Sequence, residues 1–324
     1  MRTWVAVDDC GNTTTHVQNI TVTDTEDPVI SGTPSDITQT ADAGDCGAVV
    51  TWTAPTATDN CTLDTFTSTH DSGDSFAVGT TTVSYTATDD CGNSTTTSFT
   101  VTITDDEAPS ISGTPSDITQ TADAGDCSTA VTWTEPTTAD NCSATMTSTH
   151  SPGASFAVGS TTVTYTSVDP AGNTTTSSFT VTVTDDEDPA IAGNPGNLTQ
   201  TADAGQCSAL VSWTAPTATD NCAISTFTST HNSNDAFAVG TTTVTYTATD
   251  IHGNSSTSTF NVTVTDDEDP TISDMPANIT QTADAGVCNA VVTWADPTTD
   301  DNCAISTFTS THNSGDTFNV GTTT

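Results

Sequence analysis

The chain has 324 residues, 41 Asp plus Glu against a single basic side chain, Arg2, and a formal charge of −40. Its carboxylates must draw counter-charge from solution, as metal ions or salt, and nucleic acid and anionic membrane are poor partners because both need Lys or Arg to neutralise phosphate, so no nucleic-acid partner is expected. No apolar run approaches the roughly 20 residues of a membrane-spanning helix. No signal peptide precedes the opening "RTWVAVDDCGN", which already reads as folded domain, so the expectation is a lost targeting segment or an internal piece of a longer chain.

In chain order, the first predicted elements are two strands, "TWVAVDDCGN" and "HVQNITVTD", the last two of an incomplete module over residues 1–26. A repeat follows. "TADAG" begins at Thr40, Thr121, Thr201 and Thr282, spacings of 81, 80 and 81, and Trp52, Trp133, Trp213 and Trp294 keep the same interval, as do Pro28, Pro109, Pro189 and Pro270. That period is too long for most solenoid units and suits a small domain with its own core. The predicted modules are 27–107, 108–187, 188–268 and 269–324, the last lacking its final two strands.

Within a module the hydrophobic period is two. Ala48, Val50 and Trp52 share a face; Val83, Tyr85 and Ala87 alternate with Thr82, Ser84 and Thr86; Phe99, Val101 and Ile103 alternate with Thr100, Thr102 and Thr104. Such alternation predicts half-buried strands with threonine on the wet side, and no stretch has helical spacing. The fold class is all-β: a tandem array of antiparallel β-sandwich modules of about 80 residues.

The ordered motifs "DPVISGTPSDITQTADAGDCGAVVTWTAPTATDNC", "FAVGTTTVSYTATDDCGN" and "SFTVTITD" resemble the hyalin-repeat (HYR) module across nearly the whole chain. The resemblance implies an immunoglobulin-like sandwich and a place among extracellular adhesive and matrix proteins. It implies scaffold and adhesion roles, and no reaction. Further cysteines carried by many family members near the "ISGTP" and "TTTSF" positions are here Gly, Ser or Thr, so the family's usual pairing does not transfer.

Placed on an immunoglobulin-like module, three acidic segments meet where the chain enters each module. At the first junction Asp24, Glu26 and Asp27 meet Asp59, Asn60 and Asp89. At the second, Asp105, Asp106 and Glu107 meet Asp140, Asn141 and Asp169. At the third, Asp185, Asp186, Glu187 and Asp188 meet Asp220, Asn221 and Asp250. At the fourth, Asp266, Asp267, Glu268 and Asp269 face Asp301 and Asn302, with Asp8 of a neighbouring copy as the missing member. A hard cation suits such clusters. Ca²⁺ takes 6–8 oxygens in irregular geometry, whereas Mg²⁺ demands a tight octahedron. Ca²⁺ is therefore the expected cofactor, set against a hydrated, flexible acidic linker.

Each "TADAG" module carries two recurring cysteines: Cys46 and Cys61, Cys127 and Cys142, Cys207 and Cys222, Cys288 and Cys303. An even count in an apparently secreted array points to disulfides. Two pairings are open. One lies within each module and closes a loop of about 15 residues, worth on the order of 3 kcal/mol. The other runs from Cys46 to Cys142 of the next module, and is favoured if the strand after Cys46 runs straight and carries its ends too far apart for an S–S bond. Zn²⁺ lacks a CxxC pair. Cys10 and Cys91 have no constant partner and are open to a free state, to Cys61-type neighbours or to other chains.

The recurring His70, His150, His231 and His312 read as strand-end surface residues; His16 and His252 stand apart. Asn12, Asn19, Asn93, Asn173 and Asn278 lie in glycosylation sequons. No catalytic constellation stands outside the repeat, and no nucleophile elbow or HExxH occurs, so the chain is expected not to be an enzyme. The expected function is an extracellular structural stalk or filament of Ca²⁺-stiffened modules in adhesion or cell-surface assembly. Its partners are other copies, which polymerise head to tail by strand complementation, or further repeats of a longer chain. The alternative is an array that binds glycan, ice or another surface through exposed threonine faces.

Overall fold

The computed structural model describes residues 1–324, all of them in strands, turns and loops. The chain divides into two compact units. One comprises Met1–Ile118, Ala130–Ala154 and Ser160–Thr182; the other comprises Thr119–Thr129, Ser155–Gly159 and Val183–Thr324.

The first unit opens with a hairpin of β1 (Arg2–Val7) and β2 (Thr13–Gln18), paired from Arg2 opposite Gln18 to Val7 opposite Thr13. Its turn is held by Asp8, whose Oδ1 accepts from the backbone N–H of Cys10 and Asn12. Gly11 sits there at φ 84°, a conformation open to glycine without a Cβ penalty.

The first complete module follows with eight strands: β3 (Val29–Ser31), β4 (Ile37–Thr40), β5 (Gly47–Val49), β6 (Thr56–Thr58), β7 (Leu63–Ser68), β8 (Ser75–Ala77), β9 (Gly79–Asp89) and β10 (Ser94–Thr104). The long β9–β10 hairpin is the centre of a four-stranded sheet ordered β4-β10-β9-β7; the pairs β3–β6 and β5–β8 form the other layer. The alternation dictates the packing. Val83, Tyr85, Phe99, Val101 and Ile103 point inward against Ala48, Val50 and Phe76 of the facing layer, with Ile30, Ile37 and Trp52 at the margin. Each fully buried side chain of this size contributes about 1.5–3 kcal/mol.

Trp52 closes the core. Its Nε1–H donates to Tyr85 Oη at 2.8 Å, and its ring meets Phe99 edge-on at 5.3 Å. Trp133 and Tyr165 repeat the bond at 2.6 Å within the first unit, and Trp213 and Tyr246 at 2.8 Å in the second. The second unit contains a module with the same four-stranded topology and an equivalent core of Ala209, Val211, Phe237, Val244, Tyr246, Phe260, Val262 and Val264.

One pairing per module departs from the antiparallel pattern: β4 lies parallel to β10, from Ile37 opposite Val101 to Thr40 opposite Thr104, and in the second unit Leu198–Thr201 runs parallel to Val262–Thr265 in the same way. After β3 the chain crosses to the free edge of the larger sheet and arrives there running with β10. Asp36 fastens this crossing, its Oδ1 accepting the Thr100 N–H at 2.7 Å. The outward threonines pair with each other across strands, Thr80 with Thr102 at 3.2 Å and Thr86 with Thr96 at 3.0 Å. The histidine rings lie tilted against core phenylalanines, His70 on Phe76 at 5.1 Å and His231 on Phe237 at 5.2 Å, with the ring Nδ1 next to the preceding threonine hydroxyl.

Candidate metal centre

The first three junctions are each built from a turn, a loop and a linker. The turn is Asp-x-x-Gly-Asn, at Asp89–Asn93, Asp169–Asn173 and Asp250–Asn254. Its aspartate caps its own turn. Asp89 Oδ1 accepts the Cys91 and Asn93 N–H groups, and Asp89 Oδ2 accepts Asn93 Nδ2–H at 2.8 Å. The same Asn93 amide donates to the Asp24 carbonyl at 3.3 Å, tying the turn to the linker; Asn173 does so to Asp105 and Asn254 to Asp185. Asp89, Asp169 and Asp250 are only 2%, 5% and 2% exposed. Burial pushes their carboxyls up, but the hydrogen bonds of the turn outweigh it and hold all three below the ordinary aspartate value.

The loop is Asp-Asn-Cys. Asp140 Oδ2 accepts the N–H groups of Cys142 and Ser143, which leaves Oδ1 facing the junction. Asn141 Nδ2 donates both to Asp105 Oδ1 and to the carbonyl of Asp45 in the preceding module, each at 3.2 Å. The linker contributes its first aspartate: Asp105 is 9% exposed, and its Oδ1 also accepts the Glu107 N–H.

Asp105, Asp140 and Asp169 therefore converge, each offering an oxygen within 4.8 Å of the others, and Asp185, Asp220 and Asp250 do the same in the second unit. At the second junction Asp105 Oδ2, Asp140 Oδ1 and Asn141 Oδ1 are buried without any hydrogen-bond donor. Asp24 Oδ2 and Asp59 Oδ1 at the first, Asp220 Oδ1 and Asn221 Oδ1 at the third, and Asp301 Oδ1 and Asn302 Oδ1 at the fourth are in the same state. Buried oxygens of this kind are normally paired, and leaving one unpaired costs about 1–3 kcal/mol. Nine acceptors at equivalent positions with no donor among them fit a hard cation.

The remaining linker acids do not join the clusters. Glu26, Asp27, Asp106, Asp186, Asp188, Asp267 and Asp269 are exposed. The linker is extended, so after its first inward aspartate the next side chain faces water. Glu107, Glu187 and Glu268 reach back instead, each accepting a backbone N–H from the "TADAG" loop of the preceding module at Gly44, Gly125 and Gly205. Asn60 donates to Asp24, and Asn302 to Asp266, as Asn141 does to Asp105. The fourth junction has Asp266, Asp301 and Asn302 but no Asp-x-x-Gly-Asn turn; Asp8, expected there from a neighbouring copy, is exposed in the turn of the β1–β2 hairpin.

Residues outside the sequence expectation also belong to the junctions. Asn93, Asn173 and Asn254 bridge turn and linker, and the repeated Asp-x-x-Gly-Asn spacing is the signal that carries them. His252 Nδ1 lies 3.0 Å from Asp185 Oδ2, whose side chain is fully buried. At the first junction the thiols of Cys61 and Cys91 approach Asp24. The Cys61 contact, with the Glu26 N–H and the Asn60 amide, lowers the Asp24 carboxyl; in turn Asp24, followed by burial, pushes the Cys61 thiol up to about 11.

Three disulfides cross the junctions: Cys46–Cys142, Cys127–Cys222 and Cys207–Cys303. The within-module pairing does not form, because β5, which follows Cys46, and β6, which precedes Cys61, belong to different strand pairs joined by extended chain. The cross-link joins the cysteine after "TADAG" to the Asp-Asn-Cys of the next module. Cys61 and Cys288 have no such counterpart in this chain and are free, as are Cys10 and Cys91.

The HYR domain model matches residues 23–103, 104–183, 184–264 and 265–324. Hyalin of Strongylocentrotus purpuratus is 37% identical over 318 residues, 94% of this chain and 26% of that protein. Hyalin of Lytechinus variegatus is 38% identical over 334 residues, 99% of this chain and 63% of that protein. The chain thus spans about a quarter of one hyalin and just under two thirds of the other. Among solved structures, protocadherin gamma B2 extracellular cadherin domains 3–6 align over 78% of this chain and 76% of theirs with 17% identity and a TM-score of 0.28, a likeness too loose to bear on function. With consecutive matches running from residue 23 to residue 324, the chain belongs to the HYR domain family.

Proposed function

We propose that the chain is a structural segment of an extracellular adhesion or matrix protein whose module junctions are closed by Ca²⁺. The observation that carries this reading is the set of donorless buried oxygens, Asp105 Oδ2, Asp140 Oδ1 and Asn141 Oδ1, at a junction that also holds Asp169. Those residues, and their equivalents Asp24, Asp59 and Asp89 and Asp185, Asp220, Asn221 and Asp250, would hold the ion, with waters completing its shell. The ion supplies compensating charge where the chain has no cation of its own, and so couples the linker to two loops of the following module. Kinship with the hyalins supports the adhesion and matrix setting. Three disulfides support an oxidising compartment.

The mechanical consequence is local. A junction pinned by a disulfide, by Asn141 reaching back to Asp45, by Glu107 reaching back to Gly44 and by a cation resists bending in several directions at once. Small-angle scattering of the 324-residue chain in Ca²⁺ and in excess EDTA tests this. The expected result is a lower maximum dimension after chelation, restored by Ca²⁺ but not by Mg²⁺ at equal ionic strength; superimposable curves would remove Ca²⁺ from the reading.

Head-to-tail association is a finer part of the proposal. The hairpin β1–β2 exposes Trp4, Val5, Val7 and Val17, and the last module exposes Ile305, Phe308 and Val320. In the 324-residue chain these surfaces suit strand pairing between copies. Sedimentation should show concentration-dependent species larger than the monomer that disappear when residues 1–22 are removed; a monomer at all concentrations would end this part.

A further inference from the structure

We propose that Cys61 and Cys91 are a cross-strand thiol pair that oxidises to a disulfide, an intramodule staple beside the first junction. The register places them opposite each other. Strands β7 and β9 pair Leu63 with Asp89, and the ladder continues outward through a hydrogen bond from Asp90 N–H to the Thr62 carbonyl at 3.0 Å. The next residue on each side is Cys61 and Cys91. Residues opposite each other in an antiparallel ladder have Cα atoms about 4.5–5.5 Å apart, inside the roughly 4.4–6.8 Å span of a disulfide.

The second unit shows that side chains at these two positions meet. There Ile224 pairs with Asp250, the Ile251 N–H donates to the Ala223 carbonyl at 3.1 Å, and Cys222 stands opposite His252. The Cys222 sulfur, a His252 ring nitrogen and an Asp185 oxygen lie within 4.8 Å of one another. In the first module both thiols converge on the equivalent carboxylate: one set joins Asp24 with Cys61, another joins Asp24 with Cys91, each within 4.8 Å. Side-chain rotation then brings sulfur to sulfur while the backbone keeps its register.

No other module offers this pair. The counterparts of Cys61, which are Cys142, Cys222 and Cys303, are all engaged by the preceding module. The counterparts of Cys91 are Cys10, Ala171 and His252, and no Cys61 counterpart accompanies Cys10 in the 1–26 segment. The oxidant is a small-molecule disulfide such as oxidised glutathione. The thiolate of one cysteine attacks it, releasing one thiol; the second cysteine then displaces the other. Two S–H bonds are lost and one protein S–S bond forms, and the two electrons and two protons leave as two glutathione thiols.

The test uses the 324-residue chain equilibrated with reduced and oxidised glutathione, quenched with iodoacetamide and digested without reduction for mass spectrometry. The expected result is a linked peptide pair containing Cys61 and Cys91, with alkylation confined to Cys10 and Cys288 out of the four free cysteines. Cys91→Ser should return Cys61 to the alkylated pool while Cys46–Cys142, Cys127–Cys222 and Cys207–Cys303 persist, which shows that the variant is folded. Cys10→Ser should leave the linked pair unchanged. Alkylation of both Cys61 and Cys91 with the three cross-links intact overturns the proposal. So does a disulfide from Cys61 to glutathione, to any other cysteine or to a second chain.

Discussion

Asp140→Asn separates a cation site from a merely acidic junction. In the cation-free chain Asp140 Oδ1 is buried beside two other donorless acceptors, Asp105 Oδ2 and Asn141 Oδ1. Asparagine keeps an oxygen for the Cys142 and Ser143 N–H groups, which Asp140 Oδ2 now accepts, and places an N–H₂ donor where the orphaned oxygen stood. Pairing one such acceptor and removing another recovers about 1–3 kcal/mol, so the variant should be more stable than the parent in EDTA. Bound Ca²⁺ reverses the comparison. At a free concentration 100-fold above its Kd, an ion stabilises the parent by about 2.7 kcal/mol per site, about 10–20 °C in Tm for a module of this size. The variant has lost a carboxylate ligand and should keep less than half of that increment. Differential scanning calorimetry of both proteins in EDTA, Ca²⁺, Mg²⁺ and NaCl at matched ionic strength reads the whole pattern. A parent stabilised equally by all three salts would show only screening of the −40 charge. A variant that is weaker in EDTA, or that keeps the full Ca²⁺ increment, would refute the assignment of these oxygens.

Other outcomes follow from single contacts. Tyr85→Phe leaves the Trp52 Nε1–H without its 2.8 Å acceptor and should cost the first module about 1–2 kcal/mol in urea unfolding; Phe99→Ala, which removes the ring beneath that indole, should cost more, about 3–5 kcal/mol. The capped aspartates set an acid limb. Asp89, Asp169 and Asp250 titrate below their unfolded value of 3.8, so their contribution is complete above it and is lost as pH falls through the folded values. Tm followed between about pH 5 and pH 2 should therefore drop, and Asp169→Asn should flatten that drop by removing one titrating group. The double variant Cys46→Ser, Cys142→Ser should leave the amide hydrogen-exchange protection of β9 and β10 intact while faster exchange appears at Gly44; collapse of protection in β9 and β10 would mean that the cross-link holds the module core itself.

Much of the sandwich is legible in the threonine alternation. Val83, Tyr85 and Ala87 on β9 and Phe99, Val101 and Ile103 on β10 are all buried, because a period of two leaves a strand no other face to present to a core. The parallel course of β4 was not legible. "ITQT" has the alternation of any edge strand, and its direction depends on where the preceding crossing delivers it, which Asp36 and Thr100 fix across 64 positions of sequence. The cysteine pairing was half legible. A straight strand argued against closure onto Cys61, but the choice of Cys142 depended on how consecutive modules dock.

The junctions show most clearly what periodicity does and does not carry. Recurrence singled out the three acidic segments, and at the second and third junctions the structure brings one aspartate from each to a common point. It could not rank the four acids of a linker such as Asp185 to Asp188, because their order inward and outward is a property of an extended chain meeting a particular loop: Asp185 is buried, while Glu187 turns back to the Gly125 N–H. Nor does an averaged repeat reveal the position that varies. At the three junction turns the third residue of Asp-x-x-Gly-Asn is Cys91, Ala171 or His252 on one repeated backbone, so the same linker aspartate meets a thiol at Asp24, nothing at Asp105 and an imidazole at Asp185. The imidazole occupies the oxygen whose equivalents Asp24 Oδ2 and Asp105 Oδ2 lack a donor. An ion at the third junction must therefore displace or share a hydrogen bond that an ion at the second does not meet, and junctions built from one motif should differ in how firmly chelation loosens them.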